Sequence, residues 1–193
     1  VDLFGLPSEY NRISEIANKY NMIIIADAAQ SFGAKYHSRN VGTLANITCT
    51  SFFPSKPLGC YGDGGALFTN DSKICDKLES LRAHGKGKNK YDIIRVGLNS
   101  RLDTIQASIL IAKLNIFNWE NDRRNLIARR YSENLKKQFI IPQTPNNLSS
   151  VWAQYTLRVK NRDFLRKKLK DRGIPTCVHY PLPLNQQPVF NSR

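Results

Sequence analysis

The sequence predicts an α/β fold with its functional groups at the ends of the strands, and three observations carry that prediction. The apolar run Met22-Ile23-Ile24-Ile25-Ala26 ends on Asp27 and continues as Ala28-Ala29-Gln30-Ser31; a short continuous apolar run is the pattern of a buried strand, here tipped by a carboxylate. Residues 8–20 read as an amphipathic helix with Ile13, Ile16, Ala17 and Tyr20 on one face, and this helix delivers the chain into that strand. A second strand, residues 47–53, runs into Pro54-Ser55-Lys56-Pro57 and a glycine-dense loop. Ligands in open α/β sheets bind outside such strand tips.

The remaining elements follow in order. Residues 65–69 read as a third strand, and residues 71–84 as a helix capped by Asn70 or Asp71. Glycines and like charges over residues 85–90 predict a mobile loop. A helix over 102–117 places Ile105, Ile109, Ala112 and Ile116 at helical spacing, and a second, more polar helix is expected over 118–139. The shift in composition there predicts a domain boundary, with 1–118 as one unit and 119–193 as a smaller α+β unit. That unit comprises an alternating strand over 153–159, a helix over 163–172 ended by Gly173, and a short strand over 175–180.

A chain of 193 residues is long enough to bury a real core. Of its net charge of +14, ten units fall between Asn121 and Arg172. Clustered bases can neutralise phosphates, yet no nucleic-acid motif accompanies them, and Lys/Arg-rich helices are commonly solvated faces; no nucleic-acid partner is expected. Cys49, Cys60, Cys75 and Cys177 show no Cys-x-x-Cys spacing, so zinc and redox-dithiol sites are not expected. The apolar runs are too short to span a bilayer and no charged-then-apolar leader opens the chain, which predicts a soluble, cytoplasmic protein with no membrane partner.

Lys56 is the most informative residue. A lysine that follows a strand, lies between two prolines and opens a glycine-rich loop has a defined position; burial there disfavours its ammonium form, and the free amine can condense with an aldehyde. Asp27 at a neighbouring strand tip supplies an anion for a pyridine nitrogen. The pair matches the needs of pyridoxal 5'-phosphate, whose protonated ring serves as an electron sink. Alone, Lys56 reads as a loop lysine and Asp27 as a turn residue or helix cap; together they support catalysis. Gln30 opens the next turn, where it can lie beside a cofactor ring. Gly59, Gly62, Gly64 and Gly65 follow the lysine and lack Gly-x-Gly-x-x-Gly spacing, so they read as a tight reversal into the next strand.

Leu3-Phe4-Gly5-Leu6-Pro7, Ala26-Asp27-Ala28-Ala29-Gln30-Ser31, the lysine loop, Asn99-Ser100-Arg101-Leu102-Asp103 with Gln106-Ala107, and His179-Tyr180-Pro181 together resemble the DegT/DnrJ/EryC1/StrS family of sugar-nucleotide aminotransferases. The resemblance implies the aspartate-aminotransferase-like (type I) fold of pyridoxal-phosphate enzymes, here as a partial large domain plus a partial small domain, since the first strands correspond to the middle of the family's large domain. It also implies ping-pong transfer of an amino group from glutamate to a keto sugar, on a homodimer with shared active sites. Lys56 would hold the cofactor aldehyde and move the proton, and Asp27 would face the ring nitrogen. Gln30 would contact the ring or its hydroxyl, and Ser51 the phosphate, the residue-level alternative for Ser51 being a hydroxyl bonded only to backbone.

By the same resemblance Asn99 crosses the dimer interface to the other subunit's cofactor phosphate and Arg101 faces substrate. The residue-level alternative for these two is a helix cap with an Arg101–Asp103 ion pair. His179 and Tyr180 would reach the substrate pocket of a partner subunit, against the plainer reading of His179 as a structural group. Within the family the resemblance is nearest to the group that aminates UDP-2-acetamido-2-deoxy-3-oxo-glucuronate for surface polysaccharides, through Pro54-Ser55-Lys56-Pro57-Leu58-Gly59-Cys60-Tyr61 and Thr176-Cys177-Val178-His179-Tyr180-Pro181. A basic field would steer such a dianionic UDP-sugar towards the site. The alternatives are a 4-keto-6-deoxy nucleotide sugar as substrate, a dehydratase, against which Lys56 argues, and an inactive fragment acting as a basic binding protein.

Overall fold

The computed structural model describes residues 1–89 and 91–190. Three strands, β1 (Ile25–Asp27), β4 (Ile47–Ser51) and β5 (Gly65–Phe68), form one sheet in the order β1-β4-β5. β1 and β4 are parallel, with Ile25 opposite Ile47 and Asp27 opposite Cys49, while β5 returns antiparallel with Gly65 opposite Ser51. A second sheet joins β2 (Lys35–Tyr36), β3 (Arg39–Asn40) and β6 (Leu148–Ser149) in the order β3-β2-β6. These three strands are too short to leave a period-two pattern in the sequence.

β1 departs from the fully buried strand expected for residues 22–27. It is an edge strand, and Met22, Ile23 and Ile25 are 64%, 64% and 63% exposed while Ala26 is buried. One face of the strand meets the core. The helix before it, α1 (Tyr10–Lys19), also presents a different face: Tyr10 and Ala17 are buried, and Ile13, Ile16 and Tyr20 are exposed. Tyr10 decides this orientation, because its ring packs edge-on to Tyr36 with centroids 5.7 Å apart and its hydroxyl reaches the buried Asp2.

The helix α2 (Ser72–Arg82) is capped by Asp71, whose carboxylate accepts from the Lys73 and Ile74 amides at 2.8 and 3.1 Å. The loop expected to be mobile is hydrogen-bonded over its described part: Ser80 Oγ donates to the Lys86 carbonyl at 2.6 Å, and the Gly87 amide to the Asp92 carbonyl at 2.6 Å. Lys90 lies outside the described residues.

α3 (Thr104–Leu135) is one unbroken helix where two were expected, so a division at residue 118 falls inside it. It contains no Gly or Pro to break it; the change at Asn118 alters its solvent face and leaves the backbone alone. Its core-facing residues are Leu110, Phe117 and Ala128, and Ile105 and Ile116 of the expected apolar face are 72% and 46% exposed. Leu110 and Phe117 join Phe52, Leu58 and Cys60 in one cluster, with Phe32 packed against it.

Past α3, residues 153–159 form no strand; Arg158 makes a single bridge to Ile140. Residues 175–180 likewise form no strand, because no ladder partner lies beside them among the described residues. α4 (Arg162–Lys170) is followed by a turn to Gly173, whose φ of 73° turns the chain so that the Ile174 amide reaches the Leu169 carbonyl at 2.9 Å. Among the described residues no helix is long and apolar enough to cross a membrane.

Candidate active site

Parallel pairing brings the C-terminal ends of β1 and β4 to the same edge of the sheet. Residues opposite each other across a ladder share a face, and alternation along β4 puts Ile47, Cys49 and Ser51 on one side and the buried Thr48 and Thr50 on the other. Asp27, opposite Cys49, therefore lies on the face of Cys49 and Ser51. Burial raises the pKa of the Cys49 thiol, and the neighbouring Asp27 charge raises it further. Asp27 is exposed, and its Oδ1 accepts from the Ala29 amide at 3.0 Å. Ser51 Oγ accepts from the Phe53 amide at 3.2 Å.

Lys56 lies on the loop that leaves β4 at this edge. The loop closes on itself: the Lys56 amide donates to the Phe53 carbonyl at 2.9 Å, the Cys60 amide to the Phe52 carbonyl at 2.8 Å, and the Phe52 amide to the Gly64 carbonyl at 2.7 Å. Gly59 sits where a Cβ would stand 2.7 Å from the Phe53 and Pro54 carbonyl oxygens, so glycine is required there. This supports the reading of the glycines as a tight reversal. Lys56 is half-buried, and its ammonium has no hydrogen bond or ion pair among the described residues.

Gln30 and Tyr180 meet directly. Gln30 is 9% exposed, its Oε1 accepts from the Phe4 amide at 2.6 Å, and its Nε2 donates to the Tyr180 hydroxyl at 3.1 Å. Tyr180 was expected in the pocket of a partner subunit; within this chain its hydroxyl rests on Gln30. His179 is exposed beside it, the two ring centroids 5.5 Å apart.

Asn99 and Arg101 form another pair, Arg101 Nε donating to Asn99 Oδ1 at 3.2 Å. The backbone around them is held by α2, since the Leu98 amide donates to the Leu81 carbonyl at 2.7 Å and the Ser100 amide to the Arg82 carbonyl at 2.9 Å. The Arg101–Asp103 ion pair is not formed; Asp103 instead caps α3 through the Gln106 amide at 2.8 Å. Arg101 lines an open cleft of about 960 Å³ together with Cys49, Thr50, Asp63 and Ser100, and neither Lys56 nor Asp27 lines it.

Two sets of contacts escaped the sequence reading, although Gln106 itself stands in a segment that carries the family resemblance. Asp2, 1% exposed, accepts from the Ser8 amide, the Tyr10 hydroxyl and Ser31 Oγ, and its own amide donates to the Asp27 carbonyl at 2.9 Å. The first residues thus form a strap over the strand tip. Gln106, Lys113 and Arg124 of α3 contact the Lys56 loop. Their separations of 7 and 11 residues, which bring a helix back to the same side, were the available signal.

The whole chain, residues 1–193, matches the DegT/DnrJ/EryC1/StrS aminotransferase family, and the chain belongs to that family. It is 50% identical over 189 residues to the UDP-2-acetamido-2-deoxy-3-oxo-D-glucuronate aminotransferase of Pseudomonas aeruginosa, covering 97% of this chain and 52% of that protein. It is 38% identical over 192 residues to the dTDP-3-amino-3,4,6-trideoxy-alpha-D-glucose transaminase of Streptomyces venezuelae, covering 98% of this chain and 50% of that protein. A crystal structure of a DegT DnrJ EryC1 StrS aminotransferase from Brucella abortus superposes with a TM-score of 0.96 at 49% identity, over 98% of this chain and 51% of that one. The S. venezuelae DesV structure in complex with a ketimine intermediate superposes at 0.95 with 37% identity, over 99% and 52%. The chain spans about half the length of the curated relatives it matches. Its α/β arrangement is accordingly part of the aspartate-aminotransferase-like (type I) fold.

Proposed function

We propose that this chain carries the Schiff-base lysine and the ring-facing carboxylate of a pyridoxal-phosphate aminotransferase that moves an amino group from glutamate to the keto group of a UDP-sugar in surface-polysaccharide biosynthesis. The observation that carries the reading is the Lys56 amine, unpartnered among the described residues, on the loop leaving β4 at the sheet edge where Asp27 ends β1. The residues fit the cofactor: a free amine for its aldehyde, a carboxylate with one backbone contact for its ring nitrogen, and a serine hydroxyl for its phosphate. The 50% identity to the P. aeruginosa UDP-sugar aminotransferase supports the substrate class.

When bound, pyridoxal phosphate supplies an electron sink for the electrons left when the amino-acid Cα–H bond breaks. Lys56 would hold it through its aldehyde carbon and, as a general base, would take the proton from Cα. Asp27 would hold a proton on the ring nitrogen. Gln30, fixed between the Phe4 amide and the Tyr180 hydroxyl, would orient the ring. Ser51 would donate to the phosphate, and Asn99 would do so for the second subunit of a homodimer with shared sites. Arg101, whose planar fork suits carboxylate or phosphate, binds substrate with His179 and Tyr180. The enzyme works in the cytoplasm, with residues 1–118 in its large domain and residues 119–193 in its small domain. The test is borohydride reduction after incubation with pyridoxal phosphate, followed by peptide mapping. A pyridoxyl group is expected on Lys56 and on no other lysine, and its recovery elsewhere sinks the assignment.

A further inference from the structure

We infer that one face of α3 is a clamp that sets the direction of the Lys56 amine, with Lys113 as its principal positioning residue and Arg124 and Gln106 as its two other arms. Lys113 Nζ donates to the Gly59 carbonyl at 2.6 Å and lies 5.5 Å from the Tyr61 ring centroid. Arg124 donates through Nη1 and Nη2, each at 3.2 Å, to the Pro57 carbonyl, and Gln106 Oε1 accepts from the Tyr61 amide at 2.7 Å. The three contacts fall on Pro57, Gly59 and Tyr61, the alternate residues that follow Lys56. They interleave with Leu110 and Phe117, whose side chains pack on Phe52, Leu58 and Cys60 of the same loop. The loop is therefore gripped by apolar packing from within and by polar contacts along its rim.

Charge makes the grip strong. A donor that carries charge bonds a carbonyl more strongly than a neutral one, and neither Lys113 nor Arg124 spends its charge on a carboxylate: among the described residues the ion pairs lie within residues 162–171 of α4 and its end. The backbone before Lys56 is fixed by β4 and the backbone after it by α3, so the stem of Lys56 leaves from a peptide held at both sides. A reactive amine held in direction before its ligand arrives loses less freedom on condensation. This inference rests on reading Lys56 as the reactive amine.

The test compares the full chain with Lys113→Met, Arg124→Met and Lys113→Arg, in two measurements. Hydrogen exchange without cofactor reports the peptides covering residues 53–62 against those of α2, and the rate of condensation with excess pyridoxal phosphate, mapped after borohydride reduction, reports Lys56 itself. Lys113→Met is expected to raise exchange in the loop about tenfold, leave α2 unchanged and slow condensation about tenfold; Lys113→Arg is expected to restore both. Where Lys113→Met loses the fold, Gln106→Leu, which removes only the acceptor of the Tyr61 amide, is expected to give the same local rise. Wild-type exchange in the loop of both Met variants overturns the clamp, as does a uniform rise across the chain or failure of arginine to rescue. An unlabelled Lys56 in the wild-type chain, with loop exchange still raised by Lys113→Met, refutes the proposed function while supporting the clamp.

Discussion

Replacing Asp2 with alanine removes the acceptor at the centre of the strap over the strand tip. Asp2 is 1% exposed, and its carboxylate takes hydrogen bonds from the Ser8 amide at 2.9 Å, the Tyr10 hydroxyl at 3.0 and 2.9 Å, and Ser31 Oγ at 2.7 Å. The substitution leaves one amide and two hydroxyls without that acceptor, two of them on fully or nearly fully buried side chains. Each orphaned buried group costs about 1–3 kcal/mol, and partial relaxation brings the sum to about 3–5 kcal/mol. That is a large part of the roughly 5–15 kcal/mol that holds a domain together. Asp2→Asn keeps one acceptor oxygen and is expected to cost about 1–2 kcal/mol. Urea unfolding followed by tryptophan fluorescence measures both.

The same network makes an alkaline signature. Burial first, then the Asp2 charge and hydrogen bond, raise the Tyr10 pKa in the folded state. A group with a raised folded pKa stabilises the fold fully below its unfolded value, about 10 for tyrosine, and loses that contribution as pH rises above it. Wild-type stability is therefore expected to fall from about pH 10 upward, by up to about 1.4 kcal/mol per pH unit from this group. Tyrosine absorbance should show one phenol that ionises only as the chain unfolds. A loss below about 1 kcal/mol in Asp2→Ala, or a Tyr10 that titrates with the exposed tyrosines in a folded chain, would refute the reasoning.

Thr48 and Asp27 give two further expectations. Thr48 is 1% exposed and its hydroxyl has no partner among the described residues; Thr48→Val keeps the branched shape and removes the unpaired group, so stability should rise by about 1 kcal/mol and Tm by roughly 2–4 °C. A lower Tm would show that the hydroxyl is satisfied. Asp27 is exposed and keeps its one backbone contact if replaced by asparagine, so Asp27→Asn should change stability by less than about 0.5 kcal/mol. In an enzyme completed around this chain the lost charge should lower turnover about a hundred- to a thousandfold, and near-normal kcat refutes the role.

Where the sequence was legible, a local rule decided the outcome. Asp71 precedes a helical run and caps it; Gly173 follows one and ends it in the left-handed region. Periodicity placed α1 and α3, but it could not choose their buried faces. On α3, Ile105, Ile109, Ala112 and Ile116 make one apolar stripe, and Gln106, Leu110, Lys113 and Phe117 lie on the adjoining one. Hydrophobicity alone favours the first. The structure buries the second because Phe117 and Leu110 fill the space beside Phe52, Leu58 and Cys60, and the polar residues between them find carbonyls on the lysine loop. Polar groups count as surface in a pattern argument, whereas three of them on one helix face can be the reason that face is turned inward.

The candidate site was legible for a different reason, one that lies in strand geometry. Asp27, Cys49 and Ser51 share one face of the sheet, and Ala26, Thr48 and Thr50 share the other, where all three are buried. Successive residues of a strand point to opposite faces, so the segments Ala26-Asp27 and Thr50-Ser51 each give one residue to the core and one to the candidate site. A slip of one residue in β1 would drive the Asp27 carboxylate into the cluster of Tyr10 and Tyr36 and bring Ala26 out. Burying an unpaired carboxylate there costs several kcal/mol, which is far more than the small alanine could recover. The register that keeps Asp27 on the face of Cys49 and Ser51 is thus enforced by the residue before it, and the packing that stabilises the sheet is what fixes the face of the candidate site.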